Sequence, residues 1–134
     1  MNVVDTSVVV AAFGAWHEDH MIAAAAVRER PLLPVHAGLE AYSVLTRLPP
    51  PHRAGPSIAR AFLSAAFAGR WLQLPVDAAE GLVDELAELG IAGGATYDAL
   101  IAATARASDA TILTLDRRAT PTYDRLGVSV RVLR

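Results

Sequence analysis

Asp5, Glu40, Asp98 and Asp116 are four carboxylates set against apolar sequence. Asp5 ends the short run Asn2-Val3-Val4, and Asp116 ends the β-branched run Ala110–Leu115. Asp98 stands between Tyr97 and the small, apolar stretch Ala99–Ala103. A helix that is apolar nearly all round is a buried one. An acid at its mouth needs a partner, and a metal cation is one such partner. Thr96 is the expected N-cap, which puts Asp98 in the first turn, where the helix dipole favours a carboxylate. Glu40 lies in the first turns of a second helical stretch, His36–Leu48. Each acid alone has an ordinary explanation as a turn, cap, dipole-stabilising or part-exposed helix residue. The joint pattern is harder to explain that way.

The elements that must position these acids follow from the rest of the chain. Asn2–Val4 reads as a buried strand running into a turn and a short helix that ends at Gly14. Trp16–Arg30 reads as a helix stopped by Pro31, and Leu32–Val35 as a second strand. The helix His36–Leu48 is ended by Pro49-Pro50-Pro51, and Pro56 opens the next, which runs to Ala68 with Gly69 as its stop. Trp71–Leu74 is a third strand. Ala78–Leu89 is an amphipathic helix with Leu82, Val83, Leu86 and Leu89 on one face. Its acids Asp77, Glu80, Asp84, Glu85 and Glu88 have no basic neighbour in sequence and read as a solvated face. Gly93-Gly94 leads into the Asp98 helix, Ala110–Leu115 is a fourth strand, Pro121–Leu126 a short helix, and Val128–Leu133 a last strand.

Strands alternating with helices predict one α/β domain over residues 1–134, with a central, mostly parallel sheet flanked by helices on both faces. In such a sheet the carboxyl ends of strands and the starts of the following helices share one edge, where ligands bind. All four acids can converge there. Left unneutralised they repel one another and some of their pKa values rise. A hard divalent cation removes the conflict, and oxygen-only donors point to Mg²⁺ or Mn²⁺ rather than Zn²⁺.

Bulk properties narrow the class. A chain of 134 residues that is 53% hydrophobic can fill one core. Cysteine is absent, which excludes disulfides and thiolate metal sites. No positive leader precedes the first apolar residues, and the apolar runs Val8–Phe13 and Met21–Val27 are too short to span a bilayer, so a cytoplasmic protein is expected. The net charge of −2 does not advertise nucleic-acid binding, yet every basic side chain is arginine. Arg47, Arg53, Arg60 and Arg70 fill an acid-free interval, and Arg117, Arg118, Arg125, Arg131 and Arg134 crowd the C-terminal part. Coding bias accounts for this, and so does a need for guanidinium forks that suit phosphate oxygens. His17 and His20 lack zinc-motif spacing, and His36 and His52 have no partner in sequence.

Four segments together resemble a known family: Val3–Ser7 (Val-Val-Asp-Thr-Ser), Leu39–Pro49, Tyr97–Ala105 (Tyr-Asp-Ala-Leu-Ile-Ala-Ala-Thr-Ala) and Thr114–Arg118 (Thr-Leu-Asp-Arg-Arg). They are similar to the PIN domain, and more narrowly to the VapC toxins of bacterial toxin–antitoxin pairs. The likeness runs the length of the chain in the family's order. It implies a PIN-like fold and a magnesium-dependent endoribonuclease whose acidic quartet maps onto Asp5, Glu40, Asp98 and Asp116. It maps a hydroxyl beside the first acid onto Thr6 or Ser7, and a second hydroxyl onto Thr114. It also implies a VapB-like antitoxin whose C-terminal segment covers the acidic site, with the apolar faces of His36–Leu48 and Ile58–Ala68 available for that segment or for a homodimer.

The chemistry expected of such a site is phosphodiester hydrolysis of structured RNA, tRNA or rRNA, by metal-activated water. Asp5 and Asp98 are the expected direct ligands, with Glu40 and Asp116 acting through water or on a second ion, and Glu40 orienting the nucleophile. Arg117 and Arg118 are the arginines best placed for substrate phosphates. Other readings stay open: a non-catalytic PIN-like RNA-binding or scaffold module, and a housekeeping RNA-processing nuclease. A phospho-accepting receiver domain also gathers acids at strand ends, but it needs a lysine beside them and this chain has none.

Overall fold

A computed structural model describes residues 1–134. The elements are β1 (Asn2–Val4), α1 (Thr6–Phe13), α2 (His20–Arg28), β2 (Leu33–Pro34), α3 (Val35–Arg47), α4 (Pro56–Phe67), β3 (Trp71–Leu72), α5 (Val76–Leu89), α6 (Ala95–Ala107), β4 (Thr111–Thr114), α7 (Thr120–Arg125) and β5 (Val130–Val132). β4 lies between β1 and β5 and is parallel to both, with Val3 opposite Ile112 and Ile112 opposite Val130. β2 and β3 form a second parallel pair. A bridge at Val3–Leu32 joins the two, with Val4 N donating to Leu32 O at 3.1 Å and Leu32 N to Asn2 O at 2.9 Å. The order across the domain is therefore β3, β2, β1, β4, β5.

Successive strand residues point to opposite faces. Val3 and Val4 are fully buried, as are Ile112 and Leu113. Both faces of the sheet are thus covered by helices, as a parallel sheet requires. The five expected strands all form; the first spans the expected residues and the other four are trimmed to those that find a ladder partner.

Four expectations change. The helix expected from Trp16 begins only at His20. The Trp16 indole folds back over Gly14, where a Cβ would lie 2.6 Å from the ring, and it packs against His52 with centroids 4.4 Å apart and the rings tilted by 32°. Thr96 is not the N-cap of α6: Gly94 holds that position and makes no side-chain cap bond, although Asp98 remains in the first turn. Along α5, Leu82 and Leu86 are buried but Val83 is 66% exposed. Glu85 on α5 has a partner after all. Both terminal nitrogens of Arg106, on α6, donate to it at 2.7 and 2.9 Å and hold its carboxyl below its usual pKa. That partner lies 21 residues away in sequence, so local charge spacing does not reveal it.

Because β1 and β4 are adjacent and parallel, their carboxyl ends lie side by side. Asp5 follows one and Leu115-Asp116 the other. α3 packs against α1 and α6, which brings Glu40 and Asp98 to the same edge.

Candidate active site

Asp5 is the anchored member of the acidic set. It is the N-cap of α1, its Oδ1 accepting from Ser7 N at 3.1 Å and Val8 N at 3.4 Å. The capping role and the clustering with other acids are both realised. Oδ1 also accepts from Ser7 Oγ, and Oδ2 accepts from Thr114 Oγ1 at 2.5 Å and from the Tyr123 hydroxyl at 2.9 Å. A hydroxyl has one proton. The Ser7 hydroxyl accepts from Leu115 N and the Thr114 hydroxyl from Asp116 N, both at 2.9 Å, so each proton is committed to Asp5. The end of β4 thereby fixes the carboxylate that ends β1. Burial pushes the Asp5 pKa up, and the hydrogen bonds from Ser7, Thr114, Tyr123 and Val8 oppose that rise.

Tyr123 was not legible as a site residue. It sits in α7, is 1% exposed, and points its hydroxyl at Asp5. Burial and the Asp5 charge raise its pKa, so it stays a donor. From sequence it is one aromatic in a short helix.

Glu40 lies one turn further into α3 than a first-turn acid. Its Oε1 accepts from Thr6 Oγ1 at 2.5 Å, and its Oε2 is 3.6 Å from His36 Nε2. Asp116 Oδ1 accepts from Arg118 N at 2.9 Å, with Arg118 Nε 3.4 Å away. Asp98 is the least supported. Burial raises its pKa first, then the charges of Asp116, Glu40 and Asp5; His36 alone opposes them, and the result is about 6.

Asp5, Thr6, Ser7, Glu40, Asp98 and Asp116 line one small cleft with Ile101 and Tyr123. The structure thus brings all four predicted acids together, with Thr114 buried behind Asp5. Arg117 and Arg118 lie outside, lining an adjoining groove with His17, Glu18, Asp19 and Arg134. Arg117 donates to the backbone oxygen of Arg134. His36, without a visible partner in sequence, stacks on Tyr97 at 4.9 Å with the rings 6° from parallel.

As they stand, no three acid or histidine side chains are close enough to share one ion. The donor set nevertheless fits a hard divalent cation. Its free ligands are carboxylate oxygens, and repulsion from three neighbouring acids falls on Asp98, which has only His36 to offset it. Glu40, Asp98 and Asp116 would turn inward to hold such an ion, while Asp5 is already fixed.

A PIN domain family model matches residues 3–125. The chain is 49% identical to Ribonuclease VapC40 of Mycobacterium tuberculosis, over 96% of both chains. It superposes on the crystal structure of Mycobacterium tuberculosis VapC20, described as a Sarcin-Ricin loop cleaving toxin, with TM-score 0.71, 20% identity and coverage of 90% and 94% of the two chains. It superposes on FitAB bound to an IR36 DNA fragment with TM-score 0.68, 21% identity and coverage of 98% and 94%. With this match spanning the strands and helices that carry the acidic cleft, the chain belongs to the PIN domain family, in its VapC ribonuclease branch.

Proposed function

We propose that this protein is a divalent-metal-dependent endoribonuclease, the toxin of a type II toxin–antitoxin pair, acting in the cytoplasm on structured RNA, tRNA or rRNA. The observation that carries the reading is the four-acid cleft, in a chain 49% identical over nearly its whole length to a named VapC ribonuclease. The sarcin–ricin-loop activity named for VapC20 makes rRNA a first substrate to try. No helix of the chain is long and apolar enough to cross a membrane.

Asp5 and Asp98 would hold such an ion directly, with Glu40 and Asp116 acting through water or on a second ion. A bound Mg²⁺ or Mn²⁺ supplies a more acidic water and positive charge at the scissile phosphate. Glu40, held by the Thr6 hydroxyl, orients the attacking water and takes its proton. Ser7 and Thr114 keep Asp5 in place. Arg117 and Arg118 meet phosphates flanking the cut. Attack by an external water with the 3′ oxygen as leaving group leaves 5′-phosphate and 3′-hydroxyl ends, and a 2′,3′-cyclic phosphate product would refute the mechanism.

A VapB-like antitoxin blocks the site. We place its apolar segment in the groove between α3 and α4, lined by Gly38, Leu39, Tyr42, Pro56, Leu63 and Trp71. Leu39 is 61% exposed and Trp71 41%, a concentration of open apolar surface that favours a covering partner. Without that partner the chain forms a homodimer. A stable monomer in light scattering would count against the dimer.

The primary test is cleavage of tRNA and rRNA fragments by purified chain with Mg²⁺, Mn²⁺ or EDTA, beside Asp98→Asn. Cutting that needs metal and is lost in the folded variant supports the reading. Equal activity of the variant, or activity in EDTA, overturns it.

A further inference from the structure

Tyr97 is 53% exposed although it directly precedes the buried-edge acid Asp98. One ring face is covered: the His36 imidazole lies against it, 4.9 Å between centroids and 6° from parallel. The remaining exposure therefore belongs to the opposite face and the edge. The supporting imidazole has its Nε2 buried without a hydrogen-bond partner, 3.6 Å from Glu40 Oε2. A flat aromatic surface is thus open to solvent, backed on one face by an imidazole, and next in the chain to an acid of the cleft.

The cleft itself offers an RNA little to hold. Its charged groups are carboxylates, which repel phosphates, and the arginines of the adjoining groove, Arg117 and the exposed Arg118, can meet flanking phosphates but give a base nothing to rest on. A base beside the cut calls for an interaction that negative charge does not oppose. Stacking on an aromatic ring is one, since every base has a π-face and unpaired bases of RNA loops are free to use it. A ring already ordered by its neighbour loses little freedom when a base settles on it.

We propose that Tyr97, backed by His36, is a stacking platform for an unpaired nucleobase next to the scissile phosphate. The proposal deepens the ribonuclease reading above and rests on it for the position of the cut. It assigns Tyr97 a substrate contact, and His36 a positioning role beneath it.

The test measures binding of a fluorescein-labelled RNA hairpin by anisotropy, in Mg²⁺, with Asp98→Asn as a cleavage-dead background. Tyr97→Ala should weaken binding roughly 5- to 150-fold, the range that loss of one stacked base gives. Tyr97→Phe, which keeps the ring and loses the hydroxyl, should bind within about twofold of the parent, that hydroxyl having no part in a stack. Replacing loop nucleotides one at a time by abasic residues should reveal one position at which the Tyr97→Ala loss disappears. Unchanged binding by Tyr97→Ala overturns the proposal, and so does Phe binding as poorly as Ala. A loss that persists at every abasic position also overturns it, and would reassign the ring to another contact. Cleavage of the same hairpin by the otherwise native chain is scored separately. Intact stacking behaviour with no metal-dependent cleavage would remove the nuclease reading and leave the platform standing.

Discussion

Replacing Asp98 by Asn should stabilise the fold while abolishing cleavage. Folding raises the Asp98 pKa from 3.8 to about 6, through burial and then the charges of Asp116, Glu40 and Asp5. An acid whose pKa is raised on folding binds its proton more tightly in the native state. Stability therefore falls as pH rises through the window from 3.8 to about 6, and the whole penalty is present above it. At 1.36 kcal/mol per pH unit the full shift corresponds to about 3 kcal/mol. Asp98 is only half-buried, so solvent screening reduces this to ~1–2 kcal/mol. For a chain of this size that is a rise in Tm of ~4–8 °C. The assay is thermal unfolding by circular dichroism in EDTA, native chain against Asp98→Asn. The variant should melt higher at pH 7.5, and the gap should close only below about pH 3, where Asp98 is protonated in both the folded and the unfolded state. Adding Mg²⁺ at about a hundred times its Kd should then stabilise the native chain by ~2.7 kcal/mol and the variant much less. A variant that melts no higher than the native chain at pH 7.5 in EDTA refutes the claim that these acids repel one another.

Other outcomes can be checked alongside. Tyr123→Phe removes one of the donors to buried Asp5 at nearly constant volume. It should cost ~1–3 kcal/mol in urea unfolding and slow cleavage by loosening that carboxylate. Arg106→Ala breaks the pair with Glu85 and the 2.7 Å bond to Leu126 O. Its cost should be about 1 kcal/mol with the cleavage rate unchanged, which makes it a control for generic destabilisation. Leu39→Glu puts a charge in the middle of the α3–α4 groove. It should abolish co-purification with the antitoxin without lowering the Tm, because Leu39 is mostly exposed.

Much of this arrangement was legible because the deciding signals were local. Asp5 and Asp116 ended strands whose apolar character fixed them in the sheet centre, and parallel pairing did the rest. Asp98 kept its first-turn position although the cap is Gly94 rather than Thr96. A helix start can move by a residue or two without changing which edge of the sheet it meets. What stayed hidden depends on contacts between distant segments. Tyr123 reaches Asp5 across 118 positions, and Arg106 reaches Glu85 across 21. Nothing in the composition of α7 or α5 encodes those distances. Trp16 misled for a different reason: its surroundings suit a helix, but its ring is better satisfied over Gly14 and against His52 than in a helical turn.

The donors that converge on Asp5 have a historical consequence. This side chain caps a helix and ties two strands together as well as belonging to the cleft, so any replacement disturbs folding. Asp98 carries no such duty, and its charge works against the fold. Selection for a soluble, degradation-resistant protein would guard the first position even in a lineage with no further use for cleavage, and would favour discarding the second. Relics of this chain should therefore retain an aspartate at the end of the first strand long after the α6 acid has drifted to asparagine or alanine.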